Sequence, residues 1–315
     1  MPKAHFVNRE TFHYKFSRDH KPALHIKRRD KVTFQVNDVT SWQIAERTTA
    51  EEMMNLDMDG GLGGSRAYPL AGPVYVEGAQ PGDALVVDVV DVKAGGWGWT
   101  AIMPGVGLLE EFTKPLLWIW KLKSRRYAQF KNGIRIPVRP YCGVMGVAPA
   151  EEGTFDVLHS QRLGHLDCRH LTAGSRFMLP VFVDGALFSV GDVHAAQGDG
   201  EICGFAIECG GEATLAFDIN KNAGLESPAF LTKNEQFPRK GYYVTIGVSD
   251  DLMEAARQAV RSMINYLSKG YELTREEAYV LCSVAADLRI HCAVASPVLP
   301  KVVGAMIPRD IFPRS

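Results

Sequence analysis

The sequence predicts an α+β protein, with a β-rich, barrel- or sandwich-like body and C-terminal helices packed on it. Two observations lead to this prediction. Short apolar stretches separated by glycine and proline turns fill the first two thirds of the chain, whereas helical periodicity appears only after residue 248. With 315 residues, 46% of them hydrophobic, the chain can bury a large core. We expect a single domain over residues 1–315, β-rich over 1–248 and helical over 249–290, followed by a tail.

The β-rich part shows the alternation and the turns of extended chain. Lys31–Val36 (KVTFQV) alternates polar and apolar residues, and Ala84–Val92 (ALVVDVVDV) is a long β-branched run that follows the turn dipeptide Pro81-Gly82. Glu46–Gly64 has no clear period, and we predict an ordered excursion or a lid near the site. Three further apolar stretches are predicted to be buried strands: Leu179–Val183, Ala186–Val190 and Ile202–Ile207.

Helices are predicted only near the C-terminus. Asp250–Lys269 repeats apolar residues along one stripe, and Gly270 just beyond it is a predicted C-cap. Thr274–Glu277 has the spacing of a capping box, which predicts a second helix that runs to about Leu288. Because these helices carry broad apolar faces and Leu116–Trp120 (LLWIW) adds a dense apolar run, we expect a homo-oligomer, most simply a dimer or a multiple of it. Packing of these faces onto the β-rich body is the alternative.

Charge and composition exclude several classes of partner. The formal net charge is −1 and no basic stripe is present, so we expect no nucleic-acid partner. No apolar run approaches the length of a membrane span, and the N-terminus lacks the apolar core of a signal peptide, so we expect a cytoplasmic protein without membrane contact. The six cysteines form no C-x-x-C pair, which indicates reduced core residues. A catalytic cysteine, Cys168 beside Asp167, is the minor alternative.

The segment Leu179–Gly210 is the most informative for function, because it places polar residues among glycines between apolar stretches. Asp192 and His194 are two residues apart, so their side chains share one side of an extended chain, and the glycines predict a shaped, hairpin-like connection. An Asp and a His placed in this way are candidate ligands for a zinc-like ion. The alternative for so short a motif is a tight turn in which both side chains make structural hydrogen bonds.

Other acidic and imidazole residues add to this pair. His165 and Asp167 form a second i, i+2 pair. Glu208 follows apolar residues, and a buried carboxylate must be paired, metal-bound or protonated; a protonated one suits a general acid. Asp38 follows a strand, where a turn-initiating Asp is the alternative. Three polar residues of the glycine-rich connection either brace it or take part in the site: Gln197, Asp199 and Glu201.

Long motifs along nearly the whole chain resemble the acetamidase/formamidase family. The run GALFSVGDVHAAQGDGE (Gly185–Glu201) is very close to a run of that family. The family has similar elements at Pro73–Val89, Gly96–Leu109, Ile136–Gly153, Gly164–Val181 and the C-terminal helical segments. The sequence departs from the family in two places. Gly164-His165 stands where the family has Gly-Asn, and Arg28-Arg29-Asp30 replaces a Pro-Gly-Asp turn. The first departure falls in the expected site and therefore bears on substrate preference.

The resemblance implies an amidohydrolase, and the residues favour one mechanism for it. The family has an Asp and a Gln at the places of Asp38 and Gln43. The sequence has no G-x-S-x-G elbow, no serine-glycine-rich amidase signature and no nitrilase-type cysteine context, which favours a metal-activated water.

We therefore expect hydrolysis of a small aliphatic carboxamide, such as formamide or acetamide, to the carboxylate and ammonia. A divalent metal ion, expected to be zinc, is assigned the ligands Asp38, Asp167, Asp192 and His194. Glu208 is assigned as proton shuttle, with His165 and Gln197 in the catalytic set, where His165 either binds the ion or contacts the substrate. Two alternatives stay open: hydrolysis of a γ-lactam or another substituted amide at the same site, and a non-catalytic, metal-stabilised β scaffold that binds a small molecule.

Overall fold

The computed structural model describes residues 1–56, 67–106, 113–123, 126–129, 135–197, 204–233, 241–271, 287–294, 299–309 and 312. Within these ranges there are two α-helices, α1 (Ala50–Met54) and α2 (Leu252–Tyr271). The first strands are β1 (Ala4–Val7), β2 (Phe12–His13), β3 (Lys15–Phe16), β4 (Leu24–Ile26), β5 (Lys31–Val36), β6 (Leu70–Val76), β7 (Ala84–Ala94), β8 (Trp97–Ile102), β9 (Leu116–Lys121), β10 (Tyr127–Gln129) and β11 (Arg135–Pro137). The later strands are β12 (Tyr141–Gly146), β13 (Phe155–Asp156), β14 (Arg176–Pro180), β15 (Phe188–His194), β16 (Glu208–Cys209), β17 (Gly211–Asn220), β18 (Ala229–Leu231), β19 (Tyr242–Ser249), β20 (Asp287–Cys292) and β21 (Lys301–Pro308).

Most strands belong to two large sheets. Nine strands form one sheet in the order β1-β5-β17-β7-β14-β18-β19-β21-β20, which is antiparallel except for the β1/β5 pair. Eight strands form the other, with the path β2-β6-β15-β16-β8-β9, to which β12 is added along β15 and β4 along β6. Two small pairs, β10/β11 and β3/β13, complete the described strands.

The core lies between the faces of the two large sheets. Phe34 of β5 and Phe217 of β17 come from the nine-stranded sheet, and Phe188 of β15 comes from the eight-stranded one. The ring centroid of Phe188 is 6.2 Å from that of Phe34 and 5.0 Å from that of Phe217. All three side chains are at most 1% exposed. Since both described sheets have free ends, the body is an open sandwich, which confirms the β-rich prediction and decides between its two forms.

Helix α2 covers one end of the nine-stranded sheet, which confirms the α+β class. Ala259, Met263 and Leu267 of the helix pack with residues of β19 and β21. The helix backbone approaches β19 so closely at Gly247 that a Cβ there would collide with a carbonyl oxygen of the first helical turn. The predicted end of the helix is wrong: Gly270 lies inside α2, which continues to Tyr271.

The prediction of a wholly helical C-terminal part is also wrong in the described residues. Strands β20 and β21 follow α2 and extend the nine-stranded sheet. The predicted second helix lies outside the described residues over 274–286, and its expected last residues, Asp287 and Leu288, belong to β20.

Strand bounds in the β-rich part differ from the predictions in three places. The predicted Leu179–Val183 strand is β14, which ends at Pro180, and the predicted Ala186–Val190 strand begins only at Phe188. Ala186 and Leu187 instead have left-handed backbone, with φ of 60° and 50°. The predicted Ile202–Ile207 strand is wrong over its described residues 204–207, since β16 begins at Glu208, although Ile207 already exchanges backbone hydrogen bonds with Ala195 and Ala196. By contrast, the alternating Lys31–Val36 strand and the β-branched run that forms β7 are confirmed.

Four cysteines, Cys142, Cys168, Cys209 and Cys292, are buried and reduced, as predicted for core residues. Cys203 and Cys282 lie outside the described residues. No described helix has the length and apolarity needed to span a bilayer.

Candidate active site

Strand β15 carries the Asp192–His194 pair at the centre of the eight-stranded sheet. Val193 and His194 pair with β12 on one edge and with β16 on the other, so the strand is enclosed on both sides. The pair therefore lies within a strand, and the predicted hairpin-like connection begins only after His194, between the antiparallel strands β15 and β16. The two side chains do converge, with Asp192 Oδ1 3.1 Å from His194 Nε2, and both are at most 3% exposed.

Glu208 reaches the same imidazole from the neighbouring strand. It lies opposite His194 in the β15/β16 register, and its Oε2 is 3.0 Å from His194 Nε2. Its other oxygen, Oε1, accepts a hydrogen bond from the Ala206 backbone N–H at 2.8 Å. Asp192, His194 and Glu208 thus form a buried trio, whose ligand atoms all lie within 4.8 Å of one another.

His165 and Asp167 meet Asp192 from its other side. Asp167 Oδ2 lies 3.0 Å from His165 Nε2, which is also 3.9 Å from Asp192 Oδ2. The opposite ring nitrogen of His165 lies 2.9 Å from the Val157 carbonyl oxygen, to which it donates when Nε2 faces the carboxylates. His165, Asp167 and Asp192 form a second trio within the same 4.8 Å limit, so Asp192 is common to both.

The backbone around the two trios is shaped to bring the carboxylates together. Asp167 and Asp192 both have left-handed backbone, with φ of 44° and 57°, a conformation that few non-glycine residues adopt. The amide N–H groups of Leu166 and Asp167 donate to the Gly143 carbonyl oxygen at 3.0 and 3.2 Å. A Cβ at Gly143 would collide with carboxylate oxygens of both Asp167 and Asp192. Because Gly143 has no side chain, the carboxylates of Asp167 and Asp192 can both lie against its Cα.

Three carboxylate oxygens of the two trios, Asp167 Oδ1, Asp192 Oδ1 and Glu208 Oε2, form no hydrogen bond with the part of the chain that the structure describes, and the last two meet His194 Nε2 only as ion-pair contacts of 3.1 and 3.0 Å. Buried polar atoms are normally hydrogen-bonded, and three orphaned oxygens close together are costly unless a cation joins them. Carboxylate oxygens and an imidazole nitrogen are also ligands that zinc accepts. The residues therefore fit a divalent metal ion.

Burial and the neighbouring charges shift the pKa values of His165, His194 and Glu208. Burial alone would lower the pKa of His165, but the negative charges of Asp167 and Asp192 outweigh it and raise this pKa to about 9. Burial is likewise outweighed at His194, where chiefly Glu208, then Tyr141 and Asp192 raise the pKa well above its usual value. Burial raises the pKa of Glu208 to about 7, with Asp192 adding to the effect and His194 opposing it. The acids thus favour positive charge at both imidazoles.

Asp38 lies outside both trios, although it was expected among the metal ligands. It is 1% exposed, and its oxygens accept hydrogen bonds from Trp99 Nε1 at 2.8 Å and from the Thr40 N–H at 2.9 Å, as well as from the Thr40 hydroxyl. Burial, and to a smaller extent the charge of Asp192, raises its pKa in spite of these donors. Asp38 is therefore a neighbour of the site, and each of its carboxylate oxygens already accepts at least one hydrogen bond.

Gln197 contacts two other residues of the site, Asp167 and His194. Tyr141 also contacts His194, and it was not among the site residues predicted from the sequence. The Gln197 side chain donates from Nε2 to the Asp167 carbonyl oxygen at 2.9 Å, and its Oε1 lies 3.0 Å from His194 Nδ1. The Tyr141 hydroxyl lies 2.7 Å from the same Nδ1. Asp199 and Glu201 lie outside the described residues.

An apolar wall borders the trios. The Tyr68 ring lies 5.2 Å from the His165 ring, and the Phe205 ring lies 5.3 Å from the ring of Trp99, the residue that donates to Asp38. Met53, in α1, packs in the same cluster. The expected excursion Glu46–Gly64 therefore contributes a short helix to this wall, while residues 57–66 lie outside the described ranges.

The chain is similar to known proteins over nearly its whole length. The sequence profile of the Acetamidase/Formamidase family matches residues 2–156 and 150–314, which together span nearly the whole chain. An acetamidase of Mycolicibacterium smegmatis is 26% identical, with 85% of this chain and 84% of that protein covered. A formamidase of Methylophilus methylotrophus is also 26% identical and covers 91% of this chain and 86% of that protein.

Solved structures give the same result. A crystal structure of an acetamidase from Bacillus halodurans is similar with a TM-score of 0.87 and 30% identity, and the match covers 98% of both chains. A γ-lactamase from Delftia acidovorans is similar with a TM-score of 0.65 and 25% identity, over 97% of this chain and 90% of that one.

Proposed function

Because this chain belongs to the acetamidase/formamidase family and is an amidohydrolase of small amides, we propose that its reaction takes place at the two trios around Asp192, with a divalent metal ion. The observation that carries the proposal is the set of buried carboxylate oxygens that form no hydrogen bond within the described residues, two of which lie 3.0–3.1 Å from His194 Nε2. Because the chain belongs to a family of amidohydrolases, we do not retain the alternative of a non-catalytic scaffold.

Asp192, His194 and Glu208 are the ligands in this proposal, and zinc is the ion. One imidazole nitrogen and two carboxylate oxygens would hold the ion, a ligand set that is typical of catalytic zinc sites. Compared with the expectation from sequence, Glu208 changes from proton shuttle to ligand, because its free oxygen belongs to the His194 trio. Asp38 leaves the ligand set because its oxygens are occupied by Trp99 and Thr40. When bound, such an ion lowers the pKa of water towards neutrality and polarises a carbonyl group.

His165 and Asp167 supply the proton transfer in this proposal, a role that is specific to this chain because the family has Asn at the place of His165. In the overall reaction, the oxygen of water adds to the amide carbon, the C–N bond breaks, and the nitrogen leaves as ammonia once it has received a proton. His165 Nε2 faces Asp167 and Asp192 on the side of the shared carboxylate that is opposite to His194. A proton held on this nitrogen lies next to an amide bound over Asp192, and Asp167 stabilises the imidazolium that carries it.

The apolar wall formed by Tyr68, Trp99 and Phe205 suits the short aliphatic group of formamide- or acetamide-like substrates. A second candidate substrate class, a γ-lactam, is favoured by the similar γ-lactamase structure. It ranks below the linear amides because the acetamidase structure is the more similar of the two, with a TM-score of 0.87 against 0.65.

Ammonia release from formamide, acetamide and propionamide, and ring opening of 2-pyrrolidinone, test these proposals together. Activity on at least one linear amide that disappears with a chelator and returns with zinc supports them. Full activity of protein shown to be free of metal would overturn the metal-dependent mechanism. Turnover of the lactam alone would reverse the order of the two substrate classes.

Assembly and location complete the proposal. One hydrophobic core cluster contains residues from Val7 to Met306, which supports a single domain. Exposed apolar side chains on the end strands, Leu116 on β9 and Leu288 and Ile290 on β20, support a homo-oligomer. Buried free thiols suit the reducing cytoplasm. Sedimentation at micromolar concentration tests the assembly, since a single species at the chain mass of 34.7 kDa would rule out an oligomer.

A further inference from the structure

A buried hydrogen-bond chain connects His194 with the Asp167 peptide through Tyr141 and Gln197. Tyr141 lies opposite His194 in the β12/β15 register and is completely buried. Its hydroxyl oxygen is 2.7 Å from His194 Nδ1, and the hydroxyl donates to Gln197 Oε1. Gln197 Oε1 is itself 3.0 Å from His194 Nδ1, while Gln197 Nε2 donates to the Asp167 carbonyl oxygen at 2.9 Å.

The donors and acceptors of this chain can be assigned from its chemistry. The Asp167 carbonyl oxygen only accepts, so the Gln197 amide must present its nitrogen there and its oxygen to His194. The Gln197 oxygen also only accepts, so His194 Nδ1 must carry a hydrogen in order to face it. In neutral His194 the lone pair then lies on Nε2, the nitrogen that faces Asp192 and Glu208.

We propose that Tyr141 is a positioning residue, which together with Gln197 fixes the His194 tautomer so that Nε2 is the ligand nitrogen. The inference rests on the proposed metal-dependent function. The Tyr141 ring lies edge-on to the imidazole, with centroids 5.1 Å apart and an interplanar angle of 88°, so it restricts the ring orientation, while its hydroxyl holds the Gln197 oxygen in place. An outer hydrogen bond to a ligand histidine sets its tautomer and increases its basicity.

The same chain joins the two halves of the site. Its far end is the peptide of Asp167, whose left-handed backbone places the carboxylate beside His165. Movement of the Gln197 amide would therefore disturb His194 on one side and Asp167 on the other. Loss of the Tyr141 hydroxyl should accordingly weaken metal binding and also slow the chemical step, with little effect on the substrate contacts that determine KM.

Tyr141→Phe tests this inference because it keeps the ring and removes only the hydroxyl. Tyr243→Phe is the matched control, since Tyr243 is also a buried tyrosine but packs against Tyr266 in the α2 cluster, away from the site. Zinc affinity is measured by chelator competition, and the His194 tautomer by long-range ¹H–¹⁵N NMR of the zinc-loaded protein. We expect about 10- to 100-fold weaker zinc binding in Tyr141→Phe. At saturating zinc, kcat should fall while KM stays near its native value.

The outcomes separate this inference from the function on which it rests. If the native protein binds no zinc, the proposed metal dependence fails. If it binds zinc through Nε2 but Tyr141→Phe has native affinity and native kcat, only the role of Tyr141 is overturned. Coordination through Nδ1 in the native protein would also overturn it. If Tyr141→Phe does not fold, the NMR spectrum of the native protein decides, since the proposal requires hydrogen on Nδ1 and zinc on Nε2.

Discussion

Two buried carboxylates in this protein, Asp83 and Glu208, have opposite environments. Asp83 accepts hydrogen bonds from the Lys221 ammonium at 2.6 Å and from the backbone N–H groups of Asn222 and Gln80 at 3.0 and 2.9 Å. Glu208 accepts one backbone hydrogen bond, from Ala206, and its other oxygen lies 3.0 Å from His194 Nε2 with no further donor among the residues that the structure describes. Both side chains are at most 4% exposed.

Their pKa values reflect this difference. Burial alone would raise the pKa of Asp83, but its three donors hold it below the ordinary value. The same burial raises the pKa of Glu208 to about 7, because neighbouring Asp192 adds to the effect and only His194 and one backbone N–H oppose it. A structural carboxylate is satisfied by the chain itself, whereas the acids around Asp192 have capacity left for a ligand.

The largest expected effect is that of Asp192→Asn. Asp192 is the one residue common to both trios, so its charge acts on both imidazoles. We expect kcat/KM for formamide or acetamide to fall at least about 10³-fold, the order of effect found when a central catalytic group is removed. Steady-state kinetics with circular dichroism as a folding control measures it. Near-native turnover in the folded variant would exclude this site.

His165→Asn should cost less and should separate proton transfer from metal binding. The proposal gives His165 the proton and leaves the ion with the other trio, so kcat should fall about 10²-fold or more while the zinc content stays native. His25→Asn, at an exposed histidine, is the control and should change neither quantity. A loss of zinc in His165→Asn would instead make His165 a ligand.

Asp83→Asn should lower stability without changing the site. Removing the charge weakens the hydrogen bonds from Lys221 and two backbone N–H groups, so we expect a loss of about 2 kcal/mol in the free energy of unfolding. Urea denaturation measures this loss, and the zinc content and KM of the folded variant should be native. An altered zinc content would mean that the two carboxylate environments are coupled.

The contribution of the Asp83 charge should also depend on pH with a definite sign. Its pKa is lowered on folding from an unfolded value of 3.8, so the stabilisation is fully present above pH 3.8 and is lost as the pH falls through the lower folded value. The difference in unfolding free energy between the native protein and Asp83→Asn should therefore shrink below pH 3.8. A difference that grows on acidification would contradict the assigned direction.

The smallest effect is expected at the exposed pair of Asp88 and Arg176. Arg176 Nε lies 2.6 Å from Asp88 Oδ1, but both side chains are more than a third exposed. Exposed ion pairs contribute about 0–1 kcal/mol, so Asp88→Asn should change the unfolding free energy by less than Asp83→Asn does. Denaturation of the two variants under the same conditions checks this order. A larger loss of unfolding free energy in Asp88→Asn than in Asp83→Asn would contradict the role given to burial.

The strands that were predicted well are those with a clear alternating or β-branched pattern. In β5, the alternation of Lys31–Val36 matches alternate burial, because that strand has two different faces. The pattern failed for β15, where every residue is buried and the polar ones line the site rather than solvent. Polar residues and glycines in such a strand resemble a loop in sequence, which is why Asp192 and His194 were placed in one.

The composition of the candidate site was easier to predict than its contacts. Spacing of two residues was sufficient to associate Asp192 with His194 and His165 with Asp167, and the structure brings both pairs together. Tyr141 is 53 residues from His194, and only the β12/β15 register reveals that they touch. Asp38 was assigned to the ion because the sequence could not show that Trp99, 61 residues away, donates to its carboxylate.

The proposal that the residues around Asp192 bind a metal ion is tested most simply by the metal content of the purified protein. This content should be measured for the native chain, Asp192→Asn and Asp83→Asn. We predict one bound zinc ion per chain in the native protein and in Asp83→Asn, and loss of this ion in Asp192→Asn. The reason is that the carboxylate oxygens around Asp192 form no hydrogen bond within the described residues and can therefore bind a cation. Native protein that hydrolyses small amides without any bound metal, or Asp192→Asn that keeps its zinc, would contradict it.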